Sequence, residues 1–197
     1  MTGSIGTGVV VGNGTVLTAA HCVASKDIKS IKINGQYLVK KIIIGDKVKS
    51  QKSLDLALLK IPLNHFKNIL PIAKAKLPPP PIPVSIIGYG LAFNDQLPLD
   101  FDTRLLKRIG YNTLGTEPDT INDLYLNLEF EHVPYDSSAR SGALQGDSGG
   151  PMVWNDSVVG IASKSIWISN YVNLQGPRAQ NFLKAAVAKG WQIDFKN

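Results

Sequence analysis

Short apolar runs broken by turn residues make up most of this chain, and a helical period appears only near its end. That pattern predicts an all-β sandwich or barrel. Val9-Val10-Val11-Gly12 and Thr15-Val16-Leu17-Thr18 flank Asn13-Gly14, a pair suited to the positive φ of a two-residue hairpin turn. Val153-Trp154 and Val158-Val159-Gly160-Ile161 flank Asn155-Asp156-Ser157 and read the same way. Leu124, Leu126, Leu128 and Phe130 alternate with Tyr125, Asn127, Glu129 and Glu131, the period of a strand with one buried face. After Pro177, which suits a first helical turn, Ala179, Phe182, Leu183 and Ala186 make an apolar stripe that Gly190 can end. A helix over residues 177–190 is predicted, too short to span a membrane and suited to docking on a barrel.

The run Leu77-Pro-Pro-Pro-Pro-Ile-Pro83 must be extended, because proline fixes φ and disfavours helix in its predecessor. A stiff linker is preferred here to a ligand for a proline-binding module. No apolar run approaches the ~20 residues of a spanning helix. The net charge of +6 and pI of 9.4 suit an acidic partner, but the lysines are scattered rather than gathered with aromatics, which argues against nucleic-acid binding. Cys22 is the single cysteine, so no intrachain disulfide can form, and a small buried thiol is expected. Met1 to Gly6 has neither a basic nor an apolar leader segment.

Three segments carry chemistry. Gly146-Asp147-Ser148-Gly149-Gly150-Pro151 sets a hydroxyl nucleophile in a Gly-rich turn whose N–H groups can face an oxyanion. Thr18-Ala19-Ala20-His21-Cys22 offers a general base, and Ser53-Leu54-Asp55-Leu56-Ala57-Leu58-Leu59 a buried acid. Asp46 competes for the acid's role; Asp55 is preferred because it leads directly into buried strand, where an unpaired charge would be costly. His65 and His132 have no flanking motif and read as surface or satisfied histidines.

The order His, Asp, Ser and all three motifs resemble the trypsin/chymotrypsin-like serine proteases, from about Gly6 to the C-terminal helix. That resemblance implies two packed, antiparallel, six-stranded β-barrels with a C-terminal helix. Residues 1–76 would be the first barrel, carrying His21 and Asp55. Residues 77–83 would link it to a second barrel, 84–176, which carries Ser148. The family mechanism would have His21 take the proton of Ser148 and return it to the leaving amine, with Asp55 holding the imidazole and the N–H groups of Gly146 and Ser148 lining the oxyanion hole. It needs no metal or cofactor. Gly142 would lie at the base of the primary pocket, without the aspartate of trypsin-like enzymes. Ser163 would open the substrate-pairing strand and support the acid, and Ser165 and Ser169 would fall near the pocket walls. An uncharged, small-to-medium residue is therefore expected before the cleaved bond of a protein or peptide substrate.

The resemblance also carries departures. The family's partner for the cysteine after the base falls on Gly6 here, so Cys22 should be free. By its count from His21, Met1 starts inside the first barrel, and the family's Ile-Val-Gly-Gly segment, whose amine pairs with the aspartate before the nucleophile, is not seen. A buried Asp147 then needs another cation or several donors, with Arg104, Arg108, Arg140 and Lys164 as candidates and Ile86 where bacterial relatives place an arginine. The compact, disulfide-free form looks bacterial or viral, and the family implies a secreted or periplasmic setting, with a cytoplasmic one left open. Two alternatives to an endopeptidase stand beside it: an inactive or latent binding module, and an esterase or transacylase using the same triad.

Overall fold

The computed structural model describes residues 5–36, 38–45, 53–91, 106–115, 124–129, 141–165 and 168–197. Their strands fall into two sheets. The first holds β1 (Val9–Gly12), β2 (Thr15–Thr18), β3 (Lys41–Ile44) and β4 (Ala57–Lys60) in the order β1-β2-β4-β3, all antiparallel. The second holds β5 (Ile72–Ala73), β6 (Ile82–Gly88), β7 (Arg108–Leu114), β8 (Tyr125–Glu129), β9 (Pro151–Trp154), β10 (Ser157–Ser165), β11 (Ile168–Asn173) and β12 (Phe195–Lys196). Its path runs β12-β5-β10-β9-β6-β7, and β11 joins β10 to β8. A single helix, α1 (Pro177–Ala188), completes an all-β architecture with a terminal helix.

Local chemistry accounts for the connections. The β9–β10 hairpin turns on Asn155 and Asp156, both at positive φ, with Trp154 opposite Ser157, so the two-residue turn has the primed form that matches strand twist. Between β1 and β2 only Gly14 takes positive φ. Leu124, just before β8, and Leu126 and Leu128 within it are buried while Tyr125 and Asn127 are half-buried, which is the predicted alternation. Phe130, Glu131 and His132 lie outside the described residues. The proline-rich segment, expected to be extended, instead bends at Pro79 and Pro80 with a cis peptide between Pro80 and Pro81, and it passes into β6, which begins at Ile82.

The helix starts on Pro177 and buries Ala179, Leu183 and Ala186 against Val9, Val11, Leu17, Leu58, Val158 and Leu174, with Phe182 packed at the edge. It stops where Gly190 takes φ +81°, the Gly190 N–H reaching the Val187 carbonyl and the Trp191 N–H the Ala186 carbonyl. Those two bonds satisfy the last-turn carbonyls in a Schellman motif, and buried Trp191 supplies its apolar contact. Beyond it the chain lies against Gly12, where an added Cβ would sit 2.0 Å from the Gln192 carbonyl oxygen. No helix among the described residues is long and apolar enough to cross a membrane.

Candidate active site

The sequence-predicted base sits on a single 3₁₀ turn, Ala20–Cys22, immediately after β2. Ala19 and Ala20 are fully buried, so the small pair lets the turn press into the core while the His21 ring stays about a third exposed. Asp55 precedes β4 between Leu54 and Leu56 and is itself 2 % exposed. A charge that deep needs partners. It has three: His21 donates its backbone N–H to Oδ1 at 2.8 Å, His21 Nδ1 lies 2.7 Å from Oδ2, and the Ser163 hydroxyl donates to Oδ2 at 2.6 Å. Asp46 lies outside the described residues.

This arrangement moves both ionisations. The Asp55 hydrogen bond, followed by the Cys22 sulfur, raises His21 above its ordinary 6.5 against the opposing effect of burial. Burial by itself would raise Asp55, but the hydrogen bonds from His21 and Ser163 outweigh it and hold the carboxyl below 3.8. The pair therefore favours imidazolium beside carboxylate.

Ser148 lies on the turn between Gly146 and Gly150, across from this pair. Cys22 is the bridge, its Sγ 3.7 Å from His21 Nε2 and 3.6 Å from the Ser148 carbonyl oxygen. It is a free, half-buried thiol. A Cβ placed on Gly6 would stand 3.0 Å from that sulfur. Among the described residues the Ser148 hydroxyl makes no hydrogen bond to His21.

The peptide planes of the turn are individually fastened. The Gln145 carbonyl accepts from Leu91 N–H at 2.9 Å and the Asp147 carbonyl from Gly150 N–H at 2.7 Å. Because a peptide is planar and trans, pinning those oxygens turns the Gly146 and Ser148 N–H groups the opposite way. Neither N–H donates to any described residue.

Asp147 has an answer to its charge. Leu144 N–H donates to Oδ2 at 2.9 Å and Gly90 N–H to Oδ1 at 2.8 Å, while Arg108 donates from Nη1 to the Gly90 carbonyl at 2.8 Å. Burial prevails and raises this carboxyl above 3.8, with the two backbone donors and the Arg108 charge opposing it. Gly88 and Gly90 leave the room it occupies: a Cβ on either would fall within 2.6 Å of the carboxyl group. Among the described residues, Arg108 is the predicted cation beside Asp147. Lys164 is exposed, Ile86 is a buried strand residue, and Arg104 and Arg140 lie outside the described residues.

Gly142 is half-buried next to buried Ala143. Ser169 is fully buried, its hydroxyl accepting from Ala143 N–H at 2.9 Å and lying 3.2 Å from the Ser165 hydroxyl. Ser163 spends its hydroxyl on Asp55. His65 packs edge-on against Phe66. Among the described residues no group of three or more His, Cys, Asp or Glu could hold a metal ion. Sequence reasoning missed Thr7, Gly88, Gly90 and Leu91, although the spaced glycines of Gly88-Tyr89-Gly90 were a visible sign of close backbone approach.

The trypsin family model matches residues 1–176, most of the chain. The chain belongs to the trypsin family. Over 98 % of its length it is 25 % identical to an Arabidopsis thaliana protein described as a Do-like protease of mitochondria, and it spans about a third of that protein, 32 %. Among solved structures it is similar to human heparin binding protein, with a TM-score of 0.66 at 17 % identity, covering 94 % of this chain and 86 % of that one. It is also similar to the scabies mite inactivated protease paralogue S-I1, with a TM-score of 0.61 at 17 % identity over 93 % and 87 % of the two chains. Both likenesses place this trypsin-family chain in the chymotrypsin-like two-barrel fold.

Proposed function

We propose that the protein is a serine endopeptidase that hydrolyses peptide bonds through an acyl-enzyme, with His21, Asp55 and Ser148 as its triad. The observation that carries this reading is the hydrogen-bonded line from Ser163 through Asp55 to His21, beside a nucleophile turn with two N–H groups that donate to no described residue. His21 removes the Ser148 proton as Oγ attacks the carbonyl carbon, and the imidazolium that forms is stabilised by Asp55. The Gly146 and Ser148 N–H groups receive the oxyanion; a donor of this kind is typically worth about 3 kcal/mol in the transition state. The His21 proton then passes to the leaving amine, and water repeats the attack on the ester. Gly142 brings no charge to the pocket, and Ser165 and Ser169 bond to one another, which favours an uncharged, small-to-medium residue before the cleaved bond. In this reading residues 1–76 and 84–176 are the two barrel subdomains and 77–83 the link between them.

A non-catalytic binding module is the second reading, favoured by His21 Nε2 facing Cys22 Sγ and by the inactivated mite paralogue of the same fold. A fluorophosphonate probe and a peptide library separate the two. The wild type should be labelled and should cleave, and Ser148→Ala should lose both, with cleavage falling roughly a million-fold as in related triads. Labelling that persists in Ser148→Ala would remove the assignment. A folded wild type that neither labels nor cleaves would favour the binding module.

A further inference from the structure

Thr7 is 5 % exposed and every polar atom it owns is committed. Its hydroxyl donates to the Gly146 carbonyl at 2.9 Å and accepts from Tyr89 N–H at 3.1 Å. Its backbone N–H donates to the Ser148 carbonyl at 2.8 Å, and its carbonyl accepts from the Thr18 hydroxyl at 2.7 Å. One residue from the approach to β1 thus grips both ends of the nucleophile turn and ties it to the end of β2 and to the segment after β6.

The pattern of peptide units gives this grip its meaning. Four consecutive units run from Gln145 to Gly149. The first and third carry the Gly146 and Ser148 N–H groups, and their carbonyls are held by Leu91 and Gly150. The second and fourth are held at both ends: Asp147 N–H by the Leu144 carbonyl, Gly149 N–H by the Ala162 carbonyl, and their own carbonyls, those of Gly146 and Ser148, by Thr7. Thr7 also bonds Tyr89, whose neighbours Gly90 and Leu91 hold the Asp147 carboxylate and the Gln145 carbonyl. Close packing seals the contact, since a Cβ on Gly149 would lie 2.2 Å from the Thr7 carbonyl oxygen.

From this we infer that Thr7 is a positioning residue for the oxyanion-binding turn: its hydroxyl, by fastening the Gly146 carbonyl and the Tyr89 amide, holds the peptide unit between the two that carry the Gly146 and Ser148 N–H groups and so keeps both in their direction. It touches no reacting atom and acts through the peptide planes. The inference rests on the endopeptidase reading for its catalytic consequence, but not for its geometry.

Thr7→Val keeps the shape and removes both hydroxyl bonds, whereas Thr7→Ser keeps them. Two readouts are taken on the full chain: the rate constant for fluorophosphonate labelling, and the amide resonances of Gly146 and Ser148. Thr7→Val should label about 10- to 100-fold more slowly and should move both resonances, with the Trp191 amide unmoved; Thr7→Ser should stay within a few-fold of wild type in both. Where Thr7→Val does not fold, Thr7→Ala takes its place. Unmoved Gly146 and Ser148 resonances in the hydroxyl-free variant overturn the inference, as does equal slowing by serine and valine. A wild type that never labels sinks the endopeptidase reading alone, and the resonances still decide the role of Thr7.

Discussion

In the proposed triad His21 can serve as a base only when neutral, and its Asp55 partner makes the neutral form harder to reach. The acid limb of the kcat/KM profile should therefore have its midpoint above 6.5. In Asp55→Asn that midpoint should fall toward 6.5 and the rate should drop by about 10⁴; a wild-type limb at or below 6.5 would assign it to another group. Stability carries the same signature. His21, raised in the folded state, contributes fully below 6.5 and loses that contribution as pH rises through its folded value. Asp55, depressed in the folded state, contributes above 3.8 and loses it as pH falls through its folded value. The Tm advantage of wild type over Asp55→Asn should thus be largest between 3.8 and 6.5, and a gap that keeps widening above that range would contradict the pairing.

Gly6 offers a second test at this scale. A Cβ built there lies 3.5 Å from Cys22 Cβ, within the range of a disulfide. Gly6→Cys should oxidise to a bridge with Cys22 and, for a loop of this length, stabilise the fold by about 3 kcal/mol. Two thiols still titrating after oxidation would show that the approach is not made in solution.

Elements whose signals are local were legible in the sequence. The Asn-Gly and Asn-Asp turns, the alternation in β8 and the Pro-to-Gly frame of α1 each depend on residues that are neighbours in the chain. Gly190 isolates one such signal, because nothing lies within 4 Å of an added Cβ there while φ is +81°. Gly190→Ala should cost about 1 kcal/mol, the backbone penalty alone, in denaturant unfolding. Equal stability of the two proteins would mean that the motif does not end the helix. Gly149 has a similar φ of +85° but presses on the Thr18 hydroxyl and the Thr7 carbonyl, so the same change there would add a collision to the penalty. The two-residue strands β5 and β12 left no pattern to read, since their pairing comes from distant partners rather than from their own sequence.

Over the whole molecule, the motif residues could be named from sequence because each sits in a short stretch with a family likeness. Their supports could not. Thr7 meets residues 82 and 139 positions away, and Gly90 meets Asp147 across 57, distances over which periodicity says nothing. The fold closes on the same principle at its far end. After α1 the chain returns to the first hairpin: Asp194 N–H bonds the Val11 carbonyl, the Asp194 carbonyl receives Ile72 N–H, and β12 pairs with β5. A ribosome delivers residues in order, and these contacts join the first hairpin to segments that are made long after it. The first hairpin must therefore wait, with its apolar face uncovered, until α1 and β12 have been made. The helix and β12 are thus the stitch that closes this fold, and whatever the site does begins only after they arrive.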